Sequence, residues 1–178
     1  MPPQTNPDSA SDVDLLRPVG LWAADCAERV LPLFEAQAPS DTRPREAIEC
    51  IRTFGNGGPR NKQLRVVALA ALAAAREVDD PAATSAARAA CLAASSAYTH
   101  LDLDSPEQVK HVLGPAVYAA QAREIAAEGD TSAAEDEIRW AIEQATPAIR
   151  KVVRQMPAPN VSRTRLSTLF QLADAALR

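Results

Sequence analysis

The stretch from residue 79 to residue 100, DDPAATSAARAACLAASSAYTH, decides the fold class. Asp80 stands where a helix N-cap is expected and Pro81 where the first helical residue follows, so a helix is predicted to begin here and to end near His100. Alanine forms helices more readily than any other residue, and its small side chain lets neighbouring helices approach closely. Because hydrophobic residues make up 47% of the chain and aromatic residues only 4%, an all-α protein with closely packed helices is predicted.

Six further helices are predicted around this stretch. Apolar residues recur there with the helical period, and Pro, Gly and capping residues separate the segments. The predicted helices cover about 18–37, 41–54, 59–78, 105–129, 131–153 and 162–178. Pro32 and Pro147 fall inside two of these segments, where a proline is expected to kink the helix or mark a junction.

The connections between the predicted helices are short, which favours antiparallel packing of neighbours. The sequence therefore predicts one all-helical domain over residues 12–178, built as a helical bundle or as stacked helical hairpins of six to seven helices. Residues 1–11 are polar and rich in proline, and we expect a flexible tail there.

Charge and hydropathy exclude several classes of function. The net charge of −4 gives the molecule as a whole no attraction for nucleic acid or for an anionic membrane. No segment is long and apolar enough to span a bilayer, and the first residues lack the features of a signal peptide, so a cytoplasmic protein is expected. The three cysteines lie far apart among apolar residues and are predicted to be free, buried thiols. No cofactor is expected.

A second stretch, residues 97–122, AYTHLDLDSPEQVKHVLGPAVYAAQA, has a composition that helix packing does not require. It contains both histidines of the chain, which flank an acidic connection between two predicted helices. Because an antiparallel helix pair would bring the two imidazoles together, we expect a binding role here. The candidate binding residues in this stretch are His100, Asp102, Asp104, His111 and Tyr118.

Other interpretations of these histidines stay open. His100 could simply bond backbone carbonyls at the end of a helix, where positive charge is favoured. Imidazole with carboxylate could bind zinc, but two histidines with scattered carboxylates do not complete a four-ligand site, so no structural metal is predicted. His100 or His111 could also act as a general base, although no complete catalytic constellation accompanies them.

The segment from Glu124 to Glu137 contains six acidic residues and no basic one. It surrounds a predicted corner between two helices and is expected to be exposed. It would then be either a solvated face that complements a helix dipole or a docking surface for a basic partner. The candidate binding residues at this acidic corner are Glu124, Glu128, Glu135, Asp136 and Glu137.

Charged residues also alternate at helical spacing in the first two predicted helices. This pattern predicts one charged network between the two helices. Its expected members are Asp25, Glu28, Arg29, Arg43, Arg45 and Glu46.

Two of these segments resemble a known family. Residues 21–35, LWAADCAERVLPLFE, and residues 41–49, DTRPREAIE, look like successive motifs of the bacterial type-five-like immunity proteins of polymorphic toxin systems. Tyr98-Thr99-His100, His111, the run 118–122 and Trp140 are similar to later parts of the same family. The resemblance covers about residues 18–155.

The resemblance implies a non-enzymatic binding protein that neutralises a toxin domain by steric and electrostatic occlusion, and the acidic corner favours a basic partner. Two alternatives come from other classes. The protein could bind a small molecule in a cleft between helices, for self-resistance or biosynthesis, or it could be an enzyme that uses one of the two histidines. No nucleic-acid or membrane partner is expected, and the sequence leaves the oligomeric state open.

Overall fold

The computed structural model describes residues 10–101 and 104–178, and this part of the chain contains nine α-helices and no strand. The prediction of an all-α protein is confirmed. The helices are α1 Ala10–Glu28, α2 Leu31–Gln37, α3 Arg43–Gly55, α4 Gln63–Glu77, α5 Pro81–Ser95, α6 Pro106–Ala126, α7 Thr131–Gln144, α8 Pro147–Gln155 and α9 Arg165–Leu177. A 3₁₀ turn, Ser96–Tyr98, follows α5 directly. No helix in the described residues is long and apolar enough to cross a membrane.

The helix count exceeds the predicted six to seven because two predicted helices are each divided in two. Pro32 lies in the first turn of α2, and Pro147 is the first residue of α8. Both prolines lie in the first turn of a helix, where no backbone N–H has to be donated within the helix, so they mark junctions and not kinks. Pro18, the predicted first residue, instead lies inside α1.

Helix α1 begins earlier than the sequence indicated. Ala10 and Ser11, the last two residues of the expected tail, belong to α1, whereas residues 1–9 of that tail lie outside the described residues.

The alanine-rich helix α5 lies at the centre of the fold, in contact with α1, α2, α3, α4 and α6. Nine of its residues are buried, and most of these are alanine. Because their side chains end at Cβ, several helices can surround α5 at short distance, which is the packing that the composition predicted.

Helices α5 and α6 are antiparallel. Ser85, near the start of α5, donates a hydrogen bond to Gln121, near the end of α6, with 3.1 Å between the oxygens. Leu92, near the end of α5, packs against Gly114 in the first half of α6. A Cβ atom at Gly114 would lie 2.4 Å from Leu92 Cδ1, so a larger residue there would require the Leu92 side chain to move.

Two clusters of buried side chains stabilise the fold. One lies among α1 to α5 and includes Phe34, Ile51 and Phe54. The other joins α1 and α6 to α7, α8 and α9 and includes Trp22 and Leu169. Helix α1 contributes to both clusters, and the Trp22 indole N–H donates to the carbonyl of residue 141 over 2.8 Å.

Candidate binding surfaces

The connection between α5 and α6 places the two histidines near each other. The backbone N–H of His100 donates to Gln108 Oε1 over 2.9 Å, and His100 is half-buried. Asp104 is exposed, and Asp102 lies outside the described residues. Among the described residues, no group of three or more His, Cys, Asp or Glu side chains is arranged to hold a metal ion.

His111 is mostly buried between α4, the 3₁₀ turn and α6. Burial lowers the pKa of its imidazole below 6.5, and the nearby charge of His100 lowers it further. Glu107 has the opposite effect on this pKa, and Lys110 adds slightly to the lowering. The Nδ1 atom of His111 is buried and has no hydrogen-bond partner among the described residues. His111 is therefore neutral near pH 7, and its Nδ1 atom forms no hydrogen bond with the described residues.

The lowered pKa of His111 predicts a dependence of stability on pH. Below pH 6.5 the unfolded chain takes up a proton at this position before the folded protein does, so the free energy of unfolding falls as the pH decreases. Between pH 7 and pH 5.5 the melting temperature should decrease in the wild type. It should decrease clearly less in His111→Gln, which has no titrating group at this position. Equal slopes for the two proteins in thermal melts would contradict this assignment.

Two of the five acids at the acidic corner are not exposed as expected. Glu137 is 4% exposed, and Arg29 donates to its two carboxylate oxygens over 2.6 and 3.0 Å. Arg123 adds a contact of 3.4 Å. Glu124 is held by Arg165 through two parallel contacts of 3.0 and 2.7 Å. These two carboxylates join helices to each other, because each is largely enclosed and already paired with a guanidinium.

The other three acids of the corner are open to solvent. Glu128 lies at the turn between α6 and α7 with a positive φ of 56°, and Gly129 follows it with a φ of 90°. Glu135 and Asp136 are exposed on the first two turns of α7, where Asp136 pairs with Arg139 at 2.7 Å. The corner therefore offers fewer free carboxylates than its sequence suggested.

The single charged network predicted between the first two helices is replaced by separate pairs. Arg52 of α3, which the prediction omitted, donates to both Asp25 and Glu28 of α1. The other predicted members pair elsewhere: Arg29 with Glu137, Arg43 with Asp41 and Glu77, Arg45 with Glu35, and Glu46 with Thr42. The relative position of α1 and α3 brings Arg52, one turn from the end of α3, level with the two acids.

A cleft of about 370 Å³ lies between the α2–α3 connection and the α4–α5 connection. Its walls contain four carboxylates, those of Asp41, Glu77, Asp79 and Asp80, and one guanidinium, that of Arg43. Arg43 donates to Asp41 and to Glu77, each over 2.6 Å, and these hydrogen bonds hold the pKa of both carboxyls below the usual range. The cleft keeps a net negative charge after this pairing.

Sequence reasoning did not find this cleft. Glu77 lies 34 positions after Arg43 in the sequence, and only the packing of α3 against α4 brings its carboxylate to the Arg43–Asp41 pair. Asp80 was assigned as an N-cap, and its carboxylate does accept from the Ala83 N–H over 2.8 Å. Its neighbour Asp79 is exposed and has no such role among the described contacts.

The cleft and the open acids of the corner lie at one end of the molecule. Helices α4, α5 and α6 follow each other with alternating direction, so the α4–α5 connection lies beside the end of α6. Asp79 and Ile125 accordingly line one shared depression of about 430 Å³. We call this surface the acidic end and define it by its carboxylates Asp41, Glu77, Asp79, Asp80, Glu128 and Glu135.

Tyr118, the last predicted site residue, lies on α6 about two turns after His111. It is half-buried, with the Arg88 guanidinium 5.8 Å from the centre of its ring. It lines a groove that α5, α6 and α9 share and also the depression beside Asp79. Tyr118 therefore lies between the histidine connection and the acidic end.

Comparison with known proteins identifies the family. The family model described as "Imm-5 like putative immunity protein" matches residues 17–148, which is more than half of the chain and extends from α1 into α8. The comparisons with curated proteins and with solved structures gave no match. The matched range agrees with the resemblance that the motifs at 21–35 and 41–49 indicated. The chain belongs to the Imm-5 like immunity protein family.

Proposed function

We propose that this protein binds a toxin domain through its acidic end and neutralises it by covering a basic surface. The observation that carries the proposal is the cleft with four carboxylates and one guanidinium. Membership of an immunity-protein family supports a toxin as the partner. A partner whose active surface is rich in Lys and Arg has the complementary charge.

The carboxylates of the acidic end are available to such a partner. Glu77 is 63% exposed even though it pairs with Arg43, and Asp79, Glu128 and Glu135 are exposed as well. Complementary charge of this kind accelerates diffusional encounter and fixes the orientation of the partners. A Lys or Arg side chain of the toxin would enter the cleft and replace water around its carboxylates.

The proposed mechanism requires no bond to be made or broken. A toxin that acts on an anionic substrate needs a basic surface to bind it, and an immunity protein that occupies this surface competes with the substrate. Charge supplies the rate of encounter and the orientation, and the apolar parts of the interface would supply the remaining affinity.

Charge reversal tests the proposal, with a toxin domain sought in the genomic neighbourhood of this gene as the binding partner. The triple variant Glu77→Lys, Asp79→Lys, Glu128→Lys is compared with Glu49→Lys, Glu107→Lys, Glu143→Lys, which changes the net charge equally at exposed positions outside the acidic end. At low salt the first variant should associate at least tenfold more slowly than the second, because steering contributes about 10- to 1,000-fold to such rates. The difference should shrink at high salt.

The measurement is the association rate constant by stopped flow, with circular dichroism as a check that both variants fold. Equal association rates for the two triple variants at low salt would reject the acidic end as the binding surface.

A further inference from the structure

A second concave surface lies on the face formed by α4, α5, α6 and α9. It has two neighbouring compartments. The first, of about 220 Å³, is lined by Arg65, Leu69, Tyr98 and His111 among others. The second, of about 250 Å³, is lined by Leu72, Arg88, Cys91, Tyr118 and Phe170 among others. We call the two compartments together the α4–α6 groove.

The two compartments adjoin along three helices. Leu69 and Leu72 lie one turn apart on α4 and line one compartment each. On α6 the neighbours Lys110 and His111 are divided between the compartments in the same way. Along α5 the lining runs from residue 88 to residue 95, which is about 10 Å of helix. The groove is therefore short and continuous, with leucine side chains along its length.

The charged side chains that line the groove are all basic. Arg65 stacks on the Tyr98 ring with 4.1 Å to the ring centre, and Arg88 lies over Tyr118 at 5.8 Å. Neither guanidinium forms an ion pair with a carboxylate of the described residues, in contrast to Arg29, Arg43 and Arg52. Lys110 reaches the second compartment and pairs with Glu107. The groove thus has the opposite charge to the acidic end.

Apolar and polar groups in the groove lack partners. Leu69 is 67% exposed, although most large apolar side chains of the described residues are buried. Val66, one turn before Leu69 on α4 and outside the lining of the groove, is 54% exposed. In the first compartment His111 has the buried Nδ1 atom without a hydrogen-bond partner among the described residues. A ligand with an apolar body and a polar group would cover the exposed leucine and supply the missing hydrogen bond.

We propose that the α4–α6 groove binds a small organic anion with an apolar body of about 10 Å. The anionic group would form an ion pair with Arg65 or Arg88, and the apolar body would pack against the leucines. A small molecule fits better than a helix of a partner protein, because the lining extends over only about two helical turns. The second compartment shares Arg88, Tyr118 and Leu166 with the depression beside Asp79, but no carboxylate of the acidic end lines either compartment. The proposal does not depend on the proposed function.

The probe is 1-anilinonaphthalene-8-sulfonate, an aromatic anion that becomes fluorescent in apolar surroundings. Its affinity is measured for the wild type, for Arg65→Gln/Arg88→Gln and for the control Arg139→Gln/Lys151→Gln, which removes two exposed cations outside the groove. The uncharged analogue N-phenyl-1-naphthylamine is measured in parallel. Circular dichroism confirms that the variants are folded.

Each compartment contains one side chain that reports whether ligand is bound, His111 in the first and Cys91 in the second. The chain has only two histidines, so the His111 imidazole signal is assigned by comparison with His111→Gln in proton–carbon correlation spectra. In the second compartment, ligand should slow alkylation of Cys91, and Cys50 on α3 is an internal reference for thiol reactivity.

The proposal expects saturable binding of one probe per chain, a shift of the His111 signal and protection of Cys91 but not of Cys50. The groove variant should bind the anion at least fivefold more weakly than the wild type, and the affinity of the control variant should stay within twofold of the wild type. The affinity for the neutral analogue should fall less in the groove variant than the affinity for the anion. Absence of saturable binding, or equal affinities of the two double variants for the anion, would overturn it.

Discussion

Replacing Glu137 by alanine is expected to lower the free energy of unfolding by about 2–3 kcal/mol, which only reaches the lower end of the range for breaking a buried ion pair. Glu137 is 4% exposed and receives both hydrogen bonds of Arg29, while Arg123 approaches it at 3.4 Å. Its removal leaves two partly buried guanidinium groups at the junction of α1, α6 and α7 without their counter-ion. The value is at the lower end because both guanidinium groups still reach water.

The measurement is thermal or urea unfolding, with Glu135→Ala as the matched control two residues away on the same helix. Glu135 is exposed, so its variant should stay within about 0.5 kcal/mol of the wild type. For a domain of this size the Glu137 variant should lose about 4–12 °C in melting temperature. Equal stabilities of the two variants would contradict the structural role of Glu137.

Replacing Ala90 by leucine is expected to cost about 2–3 kcal/mol, because the added atoms have no space in a packed core. Ala90 is fully buried in the middle of α5 and belongs to the cluster among α1 to α5. A leucine there would force α5 away from the helices around it. This test addresses the close packing that the alanine content predicted.

The control for this substitution is Ala175→Leu on α9, where the side chain is exposed and a larger residue has room. Its stability should lie within about 0.5 kcal/mol of the wild type. If Ala90→Leu unfolded at the same temperature and urea concentration as the wild type, the packing around α5 would be looser than described.

The local features of the fold could be predicted from the sequence, because they depend on neighbouring residues. Asp80 and Pro81 do begin a helix, and the alanines after them do lie in the core. The breaks at Pro32 and Pro147 were expected only as kinks or junctions. Whether a proline bends a helix or ends it depends on packing, as Pro18 inside α1 shows.

The charged contacts were harder to predict. Glu137 stands three residues after Ala134 and directly before Ile138, both buried, and this spacing on the apolar face of α7 was a signal that the carboxylate is enclosed. The partner of Asp25 and Glu28 depends on how α1 and α3 are placed along each other, and the sequence does not contain that register. For the same reason the cleft around Arg43 could not be found before the helices were placed.

Carboxylate footprinting of the toxin complex tests the central claim most directly. Exposed carboxylates are coupled to glycine ethyl ester with a carbodiimide, in the free protein and in the complex, and the modified peptides are quantified by mass spectrometry. Our account predicts that Glu77, Asp79 and Glu128 become protected in the complex, while Glu49 and Glu143, exposed elsewhere, are modified as before. Unchanged modification of the first three residues in a saturated complex would show that the toxin binds another surface.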